Sequence, residues 1–298
     1  MKSITRARRA GLVVLSALGL FAVQIAAGAL SACGGADTTS SKRVALKTEV
    51  TTPKEATAAF TNAYGWSIQL SHAWVSVGPL YYFDGAPIFS AMREDARGAP
   101  SRFAGLGMDT FPEEARGLFD HLLGVPAAHA HPGHYQAGNA MGQELKPTSV
   151  DLLTGPAALA AGDGVAGIYR SARFIFQSPP SGPGAMALGA HVVVLEGEAD
   201  KDADKRPFRA SAAVSDVLDS YNDPKLEGCA FDKETDVEAD GTITVTIDPR
   251  VWLDQADFAS VAASADGAPV DLSPDEEAFK AFARGLKKGA AVLFHYAP

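Results

Sequence analysis

The sequence predicts a mostly β fold: a β-sandwich, immunoglobulin-like or jelly-roll-like, with a few short helices and one irregular insertion. Two observations lead to this prediction. Several short segments alternate apolar and polar residues, which is the pattern of a half-buried strand. Clusters of Gly, Pro and Asp separate these segments, and short strands joined by such turns are typical of a sandwich.

The first predicted strand covers residues 66–77, where Trp66, Ile68 and Leu70 fall on one face because side chains alternate along a strand. A Gly-Pro pair interrupts this strand, and residues 80–83 resume it. The next stretch is rich in Gly, Pro and charged residues and predicts a loop, with a short helix at 117–123. We therefore treat residues 84–147 as the irregular insertion.

The second half of the chain is more regular. Residues 167–177 alternate, with Ile168, Phe174 and Phe176 expected in the core. Glycines at 162–167 predict a turn before this strand, and the Pro/Gly run at 178–184 predicts a loop after it. Further strands are predicted at 190–198, 206–214, 242–248 and 290–296.

Two helices are predicted near the end of the chain. Asp248 caps a short helix that opens on Pro249, where the missing N–H is not needed. The sequence from Ser273 to Glu276 has the form of a capping box and precedes the apolar residues of a second helix. Gly285 stands where a glycine commonly ends a helix.

The first 33 residues have the pattern of a secretory signal. A basic start precedes an apolar run at 11–28 without charge, which is followed by small residues and Cys33. An uncleaved transmembrane anchor is the alternative, since the run is near the lower length limit for spanning a bilayer. The basic residues are Lys2, Arg6, Arg8 and Arg9.

Leu30-Ser31-Ala32-Cys33 resembles the lipobox of bacterial lipoproteins. The resemblance implies cleavage before Cys33 and lipid on that residue, and several acyl chains hold a protein firmly on a membrane. Gly rather than Asp at position 34 implies the outer membrane. We therefore predict a cell-envelope protein with a signal peptide at 1–32, a lipid-anchored flexible spacer at 33–55 and a single β-rich extracytoplasmic domain at 56–298.

Composition limits the partners of the mature protein. Removing residues 1–32 removes four basic residues and no acidic ones, which takes the formal charge from −9 to −13. An acidic surface repels phosphate backbones, so nucleic acid is excluded as a partner. With Cys33 carrying lipid, Cys229 is left without a cysteine to pair with, and we expect it in the core.

Three of the seven histidines lie within six residues, at His129, His131 and His134. In an extended backbone the first two point to one side, and the intervening Pro-Gly pair turns the third back toward them. Three neutral imidazoles on such a turn suit zinc or copper. The sequence therefore predicts a metal site here, while a solvated loop without a metal is the alternative.

Candidates for a fourth ligand are His121, Glu144 and His72. His72 lies within the first predicted strand and reads more simply as a surface residue. The string Ala-His-Pro-Gly-His at 130–134 resembles motifs of bacterial metal-handling membrane and periplasmic proteins. The order of aromatic and Gly-flanked strands is similar to that of the periplasmic copper-binding proteins associated with methanobactin, from which no ligand residue is carried over.

These observations predict a lipid-anchored extracytoplasmic protein that captures or delivers copper or zinc, with no catalytic residue assigned. The membrane, reached through Cys33, is one partner. A second hypothesis is a structural or adhesive envelope module that binds another envelope protein. A third is a zinc hydrolase, which needs an acid or base such as Glu144 beside the metal.

Overall fold

The computed structural model describes residues 42–88, 135–264 and 266–298. Far more of these residues lie in strands than in helices, so the prediction of a mostly β protein is confirmed. The described residues between Lys42 and Pro298 belong to one compact unit. None of the described helices is long and apolar enough to cross a membrane.

The described strands form two sheets. The larger sheet contains β1 (Arg43–Thr51), β4 (Leu80–Phe83), β5 (Ala140–Glu144), β7 (Ala157–Ala158), β8 (Gly162–Val165), β9 (Gly167–Ile175), β12 (Lys225–Val237), β13 (Gly241–Ile247) and β15 (Val292–Ala297). The smaller sheet contains β2 (Phe60–Thr61), β3 (Ser67–Val77), β6 (Thr148–Asp151), β10 (Val193–Lys201), β11 (Asp204–Ala212) and β14 (Val270–Asp271).

Short helices connect the strands. The α-helices of the described residues are α1 (Ala185–Leu188), α2 (Pro249–Leu253) and α3 (Glu277–Leu286). Single turns of 3-10 helix lie at Lys54–Ala56, Leu152–Thr154, Val214–Asp216, Phe258–Ser260 and Gly289–Ala291.

The larger sheet closes on itself into a barrel. Its strands follow the order β13-β15-β12-β9-β4-β5-β8-β1, and β1 then pairs in parallel with β13, from Leu46 opposite Gly241 to Thr51 opposite Thr246. A sandwich has two open sheets, so this closure differs from the arrangement that we predicted. The difference has a simple cause: β1 lies in the stretch that we assigned to the spacer.

The predicted spacer boundary is therefore wrong for residues 43–51. In β1 the residues Val44, Leu46, Thr48 and Val50 are buried, and those between them face outward. β5 likewise corrects the predicted irregular insertion at residues 140–144, since this segment pairs with β4 and β8.

Aromatic rings fill the barrel. The ring centroid of Tyr82 lies 6.0 Å from that of Phe294 and 6.1 Å from that of Tyr169, and Phe231 lies 5.6 Å from Phe294. All four side chains are buried. An eight-stranded barrel has an interior just wide enough for side chains to fill, so this barrel has a packed core.

The position of Tyr169 explains why two sequence predictions, for Gly164 and Ile168, are wrong. Its hydroxyl donates to the backbone oxygens of Met141, at 2.7 Å, and Val165, at 3.0 Å. Gly164 lies in β8 rather than in the predicted turn. A Cβ there would lie 2.4 Å from the Tyr169 hydroxyl, so this position of the strand requires glycine. Ile168, predicted in the core, is 38% exposed, because irregular pairing with β12 turns Tyr169 inward instead.

The strand and core predictions for the smaller sheet are confirmed. β3 covers all but the first residue of the predicted segment, and Trp66, Ile68 and Leu70 are buried. β10 and β11 correspond to the strands predicted at 190–198 and 206–214, and they form a hairpin that turns at Asp202 with a φ of 54°. Phe258 packs on this sheet, with its ring centroid 4.8 Å from that of Phe208.

Both predicted helices near the end of the chain are present. The carboxylate of Asp248 accepts from the Arg250 N–H and caps α2. α3 begins at Glu277, after the predicted box residues. Gly285 does not end this helix: a Cβ there would lie 2.5 Å from the Trp252 carbonyl oxygen, so the glycine allows α3 to pack closely on α2.

Candidate functional site

The predicted metal ligands His121, His129, His131 and His134 lie outside the described residues, as does the helix predicted at 117–123. Cys33 also lies outside them. The described chain resumes at Tyr135, the residue that follows His134 in the sequence. The surroundings of Tyr135 are therefore the part of the predicted site that the structure describes.

Tyr135 is fixed against the outer face of the barrel. Its hydroxyl lies 2.5 Å from the Ser171 hydroxyl, which in turn donates to the backbone oxygen of Gly85 at 2.8 Å. Burial raises the pKa of Tyr135 above its ordinary value, so the phenol is neutral near pH 7. This pair of hydroxyl contacts joins residue 135 to β9 and to the segment after β4.

Tyr135 lines a cavity of about 600 Å³. Such a volume lies within the range of small-molecule sites in proteins. Its lining includes the apolar residues Ile88, Val217 and Leu226 and charges of both signs. The charged residues of the lining are Asp219, Asp223, Lys225, Glu227 and Lys287.

One ammonium group holds three carboxylates of this cavity together. The Lys225 Nζ lies 2.8 Å from Asp223 Oδ2, 3.4 Å from Glu227 Oε1 and 3.9 Å from Asp219 Oδ2. A hydrogen bond to Asp223 raises the pKa of Lys225, which keeps the lysine charged. Arg173 adds a second cation, 2.6 Å from Glu227 Oε1. The group of five therefore carries one net negative charge.

This charged group does not form a metal centre by itself. Within the described residues, no three side chains of His, Cys, Asp or Glu come together in a way that could hold a metal ion. Lys225 stands where a cation would bind the carboxylates. With Lys287 also on the cavity lining, positive and negative charges balance there, and the group supplies no complete ligand set.

Glu144 lies inside the barrel, away from the surface. Its side chain is fully buried, and Oε1 accepts from the Lys146 N–H at 2.7 Å. Burial raises the pKa of this carboxyl group. Because a metal ligand and a catalytic acid or base both need an accessible oxygen, this burial argues against Glu144 as the fourth ligand and as the acid or base of a zinc hydrolase.

The other predicted ligand, His72, pairs with a carboxylate. Its Nδ1 lies 3.0 Å from Asp151 Oδ2, and its ring stacks on that of Trp74 with centroids 4.2 Å apart. His295 is arranged similarly, with Nδ1 2.7 Å from Asp232 Oδ2. A carboxylate often orients a metal-bound histidine in this way. Here each imidazole could supply only one metal ligand, because His72 and His295 lie apart from other histidines of the described chain, on exposed strand faces.

Sequence reasoning missed the cavity charges. Lys225 and Glu227 alternate at the start of β12, which marks one face of a strand, but their partner Arg173 comes from β9, which is distant in the sequence. The burial of the Thr48 and Tyr82 hydroxyl groups was not predicted either. Thr and Tyr are common in strands, so their presence there gave no signal of a buried polar group.

Comparison with protein-family models, with curated proteins and with solved structures finds no match to this chain. A function must therefore be argued from the residues themselves.

Proposed function

We propose that this protein is a lipid-anchored, extracytoplasmic protein that captures or delivers copper or zinc. The observation that carries the proposal is the spacing of His129, His131 and His134 around a Pro-Gly turn. Imidazole nitrogen is a favoured ligand of both metals, and three imidazoles leave one position of a tetrahedral ion free for exchange. His121 is the remaining candidate for a fourth ligand.

The lipobox sequence supports the envelope location. Lipid on Cys33 would hold the protein at the cell envelope, with its folded part in the aqueous space beside the membrane. The glycine at position 34 favours the outer membrane. A protein in that position meets metal ions before they reach the cytoplasm.

The charge distribution supports attraction of a cation. The mature chain carries a formal charge of −13. This attraction comes from the mature chain as a whole, because the three carboxylates at the cavity beside Tyr135 are balanced by three cations, Lys225, Lys287 and Arg173. A net negative charge raises the local concentration of cations and speeds their association.

Capture is favoured over catalysis because hydrolysis at zinc needs an acid or base beside the metal. Glu144, the residue that we considered for that role, is fully buried in the barrel.

X-ray absorption spectroscopy of the full-length protein in detergent tests the proposal. After loading with zinc, we expect at least three nitrogen ligands at about 2.0–2.1 Å with the scattering pattern of imidazole rings. The same spectrum is expected for the His72→Ala variant, since this residue is engaged with Asp151. A first shell of oxygen atoms alone would contradict the proposal.

A second candidate function, binding of another envelope protein, is favoured by one feature of the smaller sheet. Across its outer face a polar row runs from His72 through Glu196 and Arg209 to Asp271, on neighbouring strands in register. The Arg209 Nη1 lies 2.9 Å from Glu196 Oε1. Buried residues of both sheets share one core cluster, so we infer that the sheets pack in a sandwich-like way and leave this face outward.

Arg209→Glu distinguishes the two functions, because it reverses a charge on this face and leaves the histidine segment intact. In pull-downs from envelope extracts, loss of a chelator-insensitive partner would support the second function. An unchanged set of partners in the variant would contradict it.

A further inference from the structure

The cavity beside Tyr135 has room for a small organic molecule. Its volume is about 600 Å³, whereas sites for such ligands in proteins measure about 300–1,000 Å³. Of the described residues, no histidine lines it, so the proposed metal site makes no use of this space. What the cavity accepts can therefore be argued from its own lining.

Apolar and aromatic side chains supply one part of the lining. Val217 and Leu226 are buried, so the core holds them in place. Ile88 and Tyr221 are 48% and 63% exposed, which leaves much of two large side chains in water. A ligand that covers them removes apolar surface from water, which favours binding. This part of the lining suits a ligand with an apolar body.

Lys287 supplies a positive charge that no neighbour neutralises. This exposed residue follows directly after α3 and lines the cavity. In the part of the chain that the structure describes, its ammonium group has no ion-pair partner. Lys225, the other lysine of the lining, is already bound to Asp223 at 2.8 Å. Lys287 is therefore the lysine of this lining that can pair with a carboxylate of a ligand.

Two carboxylates of the lining each keep one oxygen for a ligand. Lys225 Nζ lies 2.8 Å from Asp223 Oδ2 and 3.4 Å from Glu227 Oε1. The other oxygens, Asp223 Oδ1 and Glu227 Oε2, make no hydrogen bond to a described residue. A carboxylate oxygen accepts strongly from an ammonium group, because both partners are charged. These two oxygens suit a primary amine of a ligand.

We propose that this cavity binds a small zwitterion with an apolar body, the chemistry shared by apolar amino acids and short apolar peptides. The carboxylate of the ligand pairs with Lys287. Its ammonium group binds Asp223 and Glu227, and its apolar side chains cover Ile88 and Tyr221. Because the charges around the cavity balance, a ligand without net charge preserves that balance, whereas a simple anion or cation does not.

Isothermal titration calorimetry of the metal-free, full-length protein in detergent tests this inference. Leucine and leucyl-leucine are the probes, and they distinguish an amino acid from a peptide as the ligand. We expect saturable binding of one molecule per chain for at least one of them. No saturable binding of either probe would overturn the inference. Because no metal is present, this result does not depend on the proposed metal site.

Capped forms of the probe that binds test its two charged ends. The amide lacks the carboxylate and the N-acetyl form lacks the ammonium group, so each should bind more weakly than the uncapped probe. Equal affinity of either capped form would overturn the assignment to a zwitterion.

Lys287→Gln tests the residue assigned to the carboxylate. The variant should bind the uncapped probe about three- to fivefold more weakly, which is the size expected for an exposed ion pair, and should bind the amide as the parent does. Lys288→Gln is the matched control, because the neighbouring lysine is also exposed but does not line the cavity. It should bind like the parent. Unchanged affinity in Lys287→Gln, or equal weakening of the uncapped probe and the amide, would contradict the assigned role.

Discussion

Glu144 Oε2 lies 3.3 Å from the position that a Cβ atom would take on Gly78. The first residue ends a barrel strand, and the second lies between β3 and β4 with a φ of 93°. The two sheets therefore meet where a side chain on residue 78 has no room. This relationship makes Gly78 a sensitive position.

Gly78→Ala should lower the free energy of unfolding by about 2–4 kcal/mol. The left-handed backbone costs an Ala about 1–2 kcal/mol, and crowding against Glu144 and the Pro147 backbone adds to this. Gly267→Ala is the matched control, because its φ is 76° and nothing lies within 4 Å of the new Cβ. Urea denaturation measures both, and an equal loss in the two variants would contradict the packing argument.

Glu144 should make stability fall as the pH rises. Burial raises its pKa above the ordinary value of 4.5, so the folded state holds this proton more tightly than the unfolded chain does. Its contribution is complete below pH 4.5 and is lost as the pH rises through the folded-state pKa. Glu144→Gln should remove this part of the dependence.

Urea titrations from pH 4.5 to pH 8 measure the stability difference between the parent and Glu144→Gln. The difference should move in favour of the variant as the pH rises. Glu198→Gln, which changes a surface partner of Lys205, is the control and should show little change in that comparison. A parent-minus-variant difference that stays constant over the range would show that the Glu144 pKa is not raised.

Tyr169→Phe should destabilise the barrel by about 1–3 kcal/mol. The change removes the hydroxyl that donates to the backbone oxygens of Met141 and Val165 and leaves both acceptors buried. Burial raises the pKa of this tyrosine to about 12, so the hydroxyl keeps its proton at every pH of interest. Tyr64→Phe, at a residue 48% exposed, serves as the control and should be neutral in thermal unfolding.

Thiol counting should report on the lipid anchor. Cys229 is fully buried, and burial raises its pKa to about 12, so a thiol reagent should not label it in the folded protein. In denaturant the full-length mature protein should show one thiol, and Cys229→Ala should show none. Two thiols in the unfolded parent would mean that Cys33 carries no lipid.

Much of the fold can be predicted from the sequence where neighbouring residues alone determine the structure. The alternation at 66–77, the β-branched run at 242–248 and the Asp-Pro start of α2 each indicate their element locally, and the structure has all three. Burial of Cys229 follows similarly from its apolar character.

The errors arise where distant residues decide the structure. In β1 the inward positions include Thr48 as well as aliphatic residues, so a polar composition concealed a strand that closes the barrel. Gly164 looked like part of a turn, because its role depends on the Tyr169 hydroxyl packed against it. Gly285 was taken as a helix end, because the close approach of Trp252 is a tertiary contact.

The functional site, like the fold, could be predicted from the sequence only in part. The histidine spacing is visible in the sequence, whereas the burial of Glu144 and the sharing of Lys225 by three carboxylates appear only when the strands are assembled. The metal ligands themselves lie outside the described residues, so the metal site stays a prediction.

Equilibrium dialysis of the full-length protein against copper and against zinc tests the central claim most directly. The parent should bind one ion per chain, and the His129→Ala, His131→Ala, His134→Ala triple variant should lose that binding. A matched triple variant at His72, His191 and His295 removes as many imidazoles from the described fold and should bind like the parent. Equal metal binding by the parent and the first triple variant would contradict the account.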